Sequence, residues 1–174
     1  MDIAIINENS IKIRGKHVGF IIDPPTSGPK ISADAIIYLS KDLPADASRI
    51  EEYRVIIKGP GEYQVNGAMI TGVKTDKENV YRIVLDDVQI LVAKASGISK
   101  FKGDMGSSEV LILNTDSEIE ASVITNMEPR IVILYGERKE GAAKILGKSE
   151  IKKTEKVTVS KEQLPEMMEV IVLG

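Results

Sequence analysis

At 174 residues, with 43% apolar and 28% charged side chains, the chain has the make-up of a folded protein with a core of its own, which excludes a disordered segment or a disulfide scaffold. Twenty-three basic residues against 26 acidic ones leave a formal charge of −3 with no long block of either sign, so no footprint for nucleic acid or an anionic membrane is present. The absence of cysteine rules out disulfides, thiolate metal sites and a cysteine nucleophile.

The first residues, MDIAIINENS, lack the basic start and apolar stretch of a signal peptide, and a cytoplasmic location is the expectation. No apolar run approaches the ~20 residues needed to cross a bilayer. No linker, low-complexity stretch or internal repeat divides the chain, so one domain over 1–174 is expected.

In chain order, short β-branched runs predict strands at 2–6, 11–14, 17–22, 35–39, 54–57, 62–65, 68–73, 79–85 and 88–93. Lys58-Gly59-Pro60-Gly61 has Pro where φ must be near −65° and Gly where φ must be positive, as a type II turn demands. Asn66-Gly67 between apolar flanks signals a tight hairpin. After the apolar strand at 109–113, Ser117 with Glu120 three residues on predicts a capped helix over 117–127. A strand at 130–134, a helix at 137–146 closed by Gly147, a strand at 156–159, a short helical turn near 161–164 capped by Ser160, and a strand at 169–173 complete the reading. Strands first and then strand–helix alternation predict a mixed α/β sandwich with helices on its outer faces.

The succession MDIAII, GFIIDPP, ADAIIYLS, KGPGEYQVNGAMITGV, VYRIVLDDVQILVA, EVLILNTD, EPRIVILYG and LPEMMEVIVLG resembles the metallo-β-lactamase-fold proteins over nearly the whole chain. The likeness is to small β-lactamase superfamily domain hydrolases similar to ascorbate-phosphate lactonase. It implies a four-layer αββα sandwich. It also implies, in the loop after 35–39, the family's Ser-His-x-His-x-Asp-His, whose side chains hold one or two metal ions. Here Ser40, Asp42 and Pro44 match, while Lys41 and Leu43 stand at the first two histidine positions, Ala45 at the aspartate and Asp46 at the last histidine. By the same alignment Lys77 falls near the next histidine, Ala95 replaces the aspartate of a Gly-Asp loop, and Gly136 replaces the final histidine.

The single histidine, His17, sits in an early turn, so no multi-histidine site can form whatever the alignment. A lysine at a ligand position repels a divalent ion. Four aspartates, Asp23, Asp42, Asp46 and Asp76, offer oxygen ligands for a hard cation such as Mg²⁺ or Ca²⁺, although loop aspartates more often close turns. Lys41 and Lys77 offer instead a fixed-cation site for a phosphate or carboxylate. Ser40 with Lys41 as its base is a weak nucleophile reading, since adjacent strand residues face opposite ways. Gly147-Lys148-Ser149 closes a helix where a phosphate-binding loop must open one, and Gly59 with Gly61 belongs to a hairpin, so neither is a nucleotide motif.

The expectation is therefore a catalytically inactive protein of this fold, without cofactor, that binds an unknown protein partner or assembles with itself. Tyr53, Tyr63, Met69, Phe101, Met105 and Tyr135 are its candidate apolar contacts, and ordinary core residues explain each of them as well. The alternative is a hydrolase or anionic-ligand binder that works in a vestigial cleft of Asp23, Ser40, Lys41, Asp42, Asp46 and Lys77, beside Ala95 and Gly136.

Overall fold

A computed structural model describes residues 1–42, 46–101 and 107–174. The first half runs through β1 (Asp2–Asn7), β2 (Ser10–Arg14), β3 (Gly19–Ile22), β4 (Ile31–Ser32), β5 (Ala35–Ile37), β6 (Ile50–Glu51), β7 (Val55–Ile57), β8 (Gly61–Val65), β9 (Ala68–Lys74), β10 (Asn79–Leu85) and β11 (Val88–Lys94). The second half adds α1 (Ala95–Ile98), β12 (Val110–Asn114), α2 (Ala121–Thr125), β13 (Ile131–Tyr135), α3 (Lys139–Ile145), β14 (Lys153–Thr154), β15 (Lys156–Thr158), a 3₁₀ turn (Lys161–Gln163) and β16 (Glu169–Leu173).

Two sheets form the body. One is ordered β15-β1-β2-β3-β5-β7 and the other β14-β16-β13-β12-β11-β10-β9-β8. Asn66 and Gly67 take φ of +45° and +88°, the two left-handed residues that a tight hairpin needs, and so set the β8–β9 register with Val65 opposite Ala68. Gly61 likewise adopts positive φ, +144°, at the entry to β8.

The chemistry of the second sheet changes where hairpins give way to crossovers. β11, β12, β13 and β16 are parallel, and every residue of β12 and β13 is buried. Such strands are covered on both faces, which is why VLILN and IVILY are unbroken apolar runs and do not alternate. Their inward residues, Ile112, Ile133 and Tyr135 among them, meet Ile13, Phe20, Ile22 and Ile37 of the first sheet. Their outward residues Leu111, Leu113, Val132 and Leu134 are covered by Ile98, Ile124, Ala142 and Ala143 of the three helices. The outer face of the six-stranded sheet is closed by the small β4–β6 pair, whose Ile50 packs with Ile21, Ile36 and Tyr38.

The helices depart from the sequence reading in detail. α2 begins at Ala121, not at 117, and its N-cap residue Glu120 makes no side-chain cap bond. Ile119 is 6% exposed, packed in the outer core, and keeping it there outweighs a cap worth about 1 kcal/mol. Ser160 precedes the 3₁₀ turn with extended backbone but makes no cap bond either. The four-residue α1, whose N-cap residue Lys94 makes no side-chain cap bond, carried no sequence signal.

Candidate functional site

Parallel strands end together, and in open α/β sheets ligands gather outside their carboxyl ends. Here those ends belong to β3 and β5 in one sheet and to β11, β12 and β13 in the other. The sheets are stitched at this edge: the amide of Asn79 donates to the carbonyl of Leu39 (2.6 Å), that of Lys41 to Lys77 (3.5 Å), and Ser40 forms an isolated antiparallel bridge with Glu78. The segment after β5 thus leaves its own sheet and pairs with the start of β10.

Asp23 is the most buried acid of the seam, with a relative exposure of 7%. Its backbone is left-handed at φ +47°, its amide donates to the Ile37 carbonyl (2.9 Å), and its carbonyl accepts from the Ser10 hydroxyl. Its Oδ1 accepts from the Leu39 amide at 2.9 Å, so one side chain anchors the exit of β5. Burial pushes its carboxyl up to about 6; the Leu39 amide and the Lys94 ammonium oppose that rise, and the charges of Glu78 and Asp116 add to it.

Lys94 closes β11 immediately before α1. β10 and β11 are antiparallel, with Tyr81 opposite Val92, which brings the start of one beside the end of the other. The Nζ of Lys94 consequently lies 3.8 Å from Oε2 of Glu78, and the two side chains are only 15% and 14% exposed. Burial raises the Glu78 carboxyl; Lys94 and a hydrogen bond with Ser40 counter it. Across the seam, Asp116 accepts from the Ser96 amide (3.0 Å) and hydroxyl (2.6 Å), fastening the loop after β12 to the start of α1.

The ends of β12 and β13 close the floor. Both the amide and the hydroxyl of Thr115 donate to the Tyr135 carbonyl, at 2.8 and 2.7 Å, and Gly136 turns away at φ +97°. A Cβ on Gly136 would sit 2.7 Å from Oδ1 of Asn114 and 3.0 Å from the amide nitrogen of Thr115. The Tyr135 ring, packed in the core, is fully buried, and its hydroxyl and Oδ1 of Asn114 have no partner of good hydrogen-bond geometry among the described residues, although the Asn114 side chain lies close enough to influence the hydroxyl. Replacing Tyr135 with Phe removes that orphan group, and thermal unfolding of the variant is expected within about 1 kcal/mol of the parent or slightly above it.

Of the residues singled out in the sequence, Asp23, Ser40, Ala95 and Gly136 line this buried seam, whereas Lys41, Asp42 and Lys77 are exposed beside it. Asp46 closes its own turn, its Oδ1 accepting from the Ser48 amide at 2.9 Å, and Asp76 pairs with Lys100 at 3.2 Å on the surface. Leu43, Pro44 and Ala45, and the candidate contact Met105, lie outside the described residues. Glu78, Lys94, Asn114 and Asp116 are the residues the sequence reading missed. Lys94 had a signal: a lone cation that ends the apolar run Ile90–Ala93 and precedes Ala95.

The metal that this architecture implies does not fit these residues. A lysine ammonium stands among the acids, Ala95 and Gly136 offer only a methyl and a hydrogen, and no group of three His, Cys, Asp or Glu among the described residues is placed to share an ion. Nor is any described helix long and apolar enough to cross a membrane.

No family model matches the chain, and no curated protein matches it. Solved structures do. A proposed Zn-dependent hydrolase of the metallo-β-lactamase superfamily from Thermotoga maritima superposes with a TM-score of 0.77 over 99% of this chain and 97% of its own, at 15% identity. A proposed metal-dependent hydrolase from Parabacteroides distasonis gives 0.58 over 97% and 91%, at 13% identity. The metallo-β-lactamase fold protein YhfI from Bacillus subtilis gives 0.57 over 98% and 95%, at 9% identity. At such identities the likeness speaks to architecture: the chain has the metallo-β-lactamase fold.

Proposed function

We propose that this protein is a non-catalytic member of its fold, a pseudo-hydrolase whose sandwich serves binding or assembly. One observation carries the reading: Ala95 and the tightly packed Gly136 stand at strand ends where the resemblance to hydrolases of this fold implies metal ligands, and the Lys94 ammonium lies directly beside Ala95. None of the three donates an electron pair to a metal at neutral pH, and without a metal-bound hydroxide the fold's usual nucleophile is lost.

A serine route gains little support. Ser40 is 6% exposed and directed at Glu78, while Lys41, its sequence neighbour, is exposed. The surface available for binding includes the open side of both sheets, where β7 and β8 are edge strands and Tyr53 (38% exposed), Ile56 (38%) and Met69 (58%) reach solvent.

Elemental analysis of protein purified without added metal is expected to find no stoichiometric zinc, iron or manganese. A generic phosphodiester and a lactone, with and without added Zn²⁺ or Mn²⁺, are expected to be hydrolysed no faster than in buffer. Metal-dependent turnover would overturn the reading. Light scattering over a wide concentration range addresses assembly; a strict monomer throughout leaves a protein partner as the binding role.

A second reading, in which the cleft receives a phosphate or carboxylate, draws on the backbone contact that brings the exposed Lys41 beside Lys77. Its mark would be amide shifts at 40–42 and 76–78 on titration with inorganic phosphate, lost in the Lys41→Ala variant.

A further inference from the structure

We propose that the ammonium of Lys94 is a built-in replacement for the metal of this fold, an internal cation that holds the acids of the seam together and keeps divalent ions out. The inference deepens the non-catalytic reading and rests on it for the missing metal, but the two fail separately: turnover sinks one, and uncoupled stability the other.

Three features point to Lys94. First, it emerges from the end of β11, directly before Ala95, so its side chain starts beside a position where hydrolases of this architecture are expected to bind metal. Second, its Nζ is 3.8 Å from Oε2 of Glu78, an oxygen that accepts no hydrogen bond among the described residues, so the attraction is one of charge without a directed bond. Third, its charge is felt across the seam by Asp23 at the end of β3, and so by a residue of the opposite sheet. The surface pairs Lys30–Glu51 and Lys100–Asp76 have side chains 47% to 62% exposed and link no buried strand ends.

The acids surrounding Lys94 explain why it matters. Glu78 and Asp23 are largely withdrawn from water, and the exposed Asp116 adds a third negative charge at the same edge. Buried carboxylates without a counter-charge repel each other and lose hydration with nothing in return. A metal would answer both problems in a hydrolase of this fold. Here a tethered cation does so, and because it is covalently part of the chain it cannot be exchanged or removed by chelation.

A double-variant cycle in the full chain tests this. Lys94→Met keeps the length and loses the charge, and is expected to lower Tm by about 5–10 °C. Glu78→Gln removes one acid. The pair, Lys94→Met with Glu78→Gln, is expected to recover at least half of the loss, because the charge left bare by the first change is gone. Should Lys94→Met alone fail to fold, a folded double variant carries the same meaning. Additive losses, a Lys94→Met protein as stable as its parent, or a double variant that cannot fold would each overturn the proposal. So would saturable, stoichiometric Zn²⁺ binding by the parent protein in calorimetry.

Discussion

Replacing Gly136 with alanine is expected to lower the melting temperature by roughly 10 °C, and replacing it with histidine to lower it further, without restoring metal binding. Two independent penalties meet at this position. Its φ of +97° lies where side-chain-bearing residues are strained, and a Cβ there would come within 3.0 Å of the Thr115 backbone nitrogen. That nitrogen cannot yield, because it donates to the Tyr135 carbonyl at 2.8 Å, the bond that ties β12 to β13. Overpacking against fixed backbone and a left-handed residue together cost about 3 kcal/mol, and a domain of this size loses about 3 °C per kcal/mol.

Nor does Gly136 border an open vacancy. The space a side chain at 136 would enter is taken by Oδ1 of Asn114, 2.7 Å from the notional Cβ. Combining Gly136→His with Asn114→Ala should therefore recover only part of the loss, since the Thr115 amide and the positive φ remain. Calorimetric unfolding of the three variants checks this ordering. A Gly136→His protein with the parent's Tm would show that the floor of the seam is plastic and that the site was closed by composition alone.

How much of this was legible beforehand depended on the range of the interaction. The β8–β9 hairpin was written in Asn66-Gly67, and the buried parallel strands in the unbroken runs of β12 and β13, because turn geometry and two-sided burial act on neighbours in the chain. Asp23 and Ser40 stood out as polar residues at strand ends, where the structure does place them. The sequence reading weighed the exposed Lys41 and Lys77, in the loops, whereas the partly buried cation of the seam is Lys94. Its partner Glu78 is 16 positions away in sequence, and only the antiparallel register of β10 with β11 makes them neighbours. The false start of α2 at Ser117 has the same origin, since a local capping pattern lost to the burial of Ile119.

Asp23→Asn is expected to stabilise the protein at neutral pH by up to about 3 kcal/mol. The carboxyl of Asp23 sits at about 6 in the folded chain, against the ordinary 3.8, because burial disfavours its charge. The folded state therefore holds the proton more tightly than the unfolded chain. Its contribution to stability is fully present below about pH 4, fades as pH rises towards 6, and is lost above that, a swing of about 2 units at about 1.4 kcal/mol each. Asparagine copies the protonated form: it retains an oxygen for the Leu39 amide and tolerates a φ of +47°. The difference in unfolding free energy between variant and parent should thus be near zero at pH 4 and reach its plateau by about pH 7. Acids remote from Asp23 cancel in that difference, whereas Glu78 and Asp116, whose charges raise the Asp23 carboxyl, enlarge it through that coupling, and Lys94 works against them. In a Lys94→Met background the gain should grow, since the ammonium that steadies the charged form is gone. A gain that is independent of pH would mean that Asp23 is ionised at ordinary acidity and that its burial is relieved by water reaching the seam.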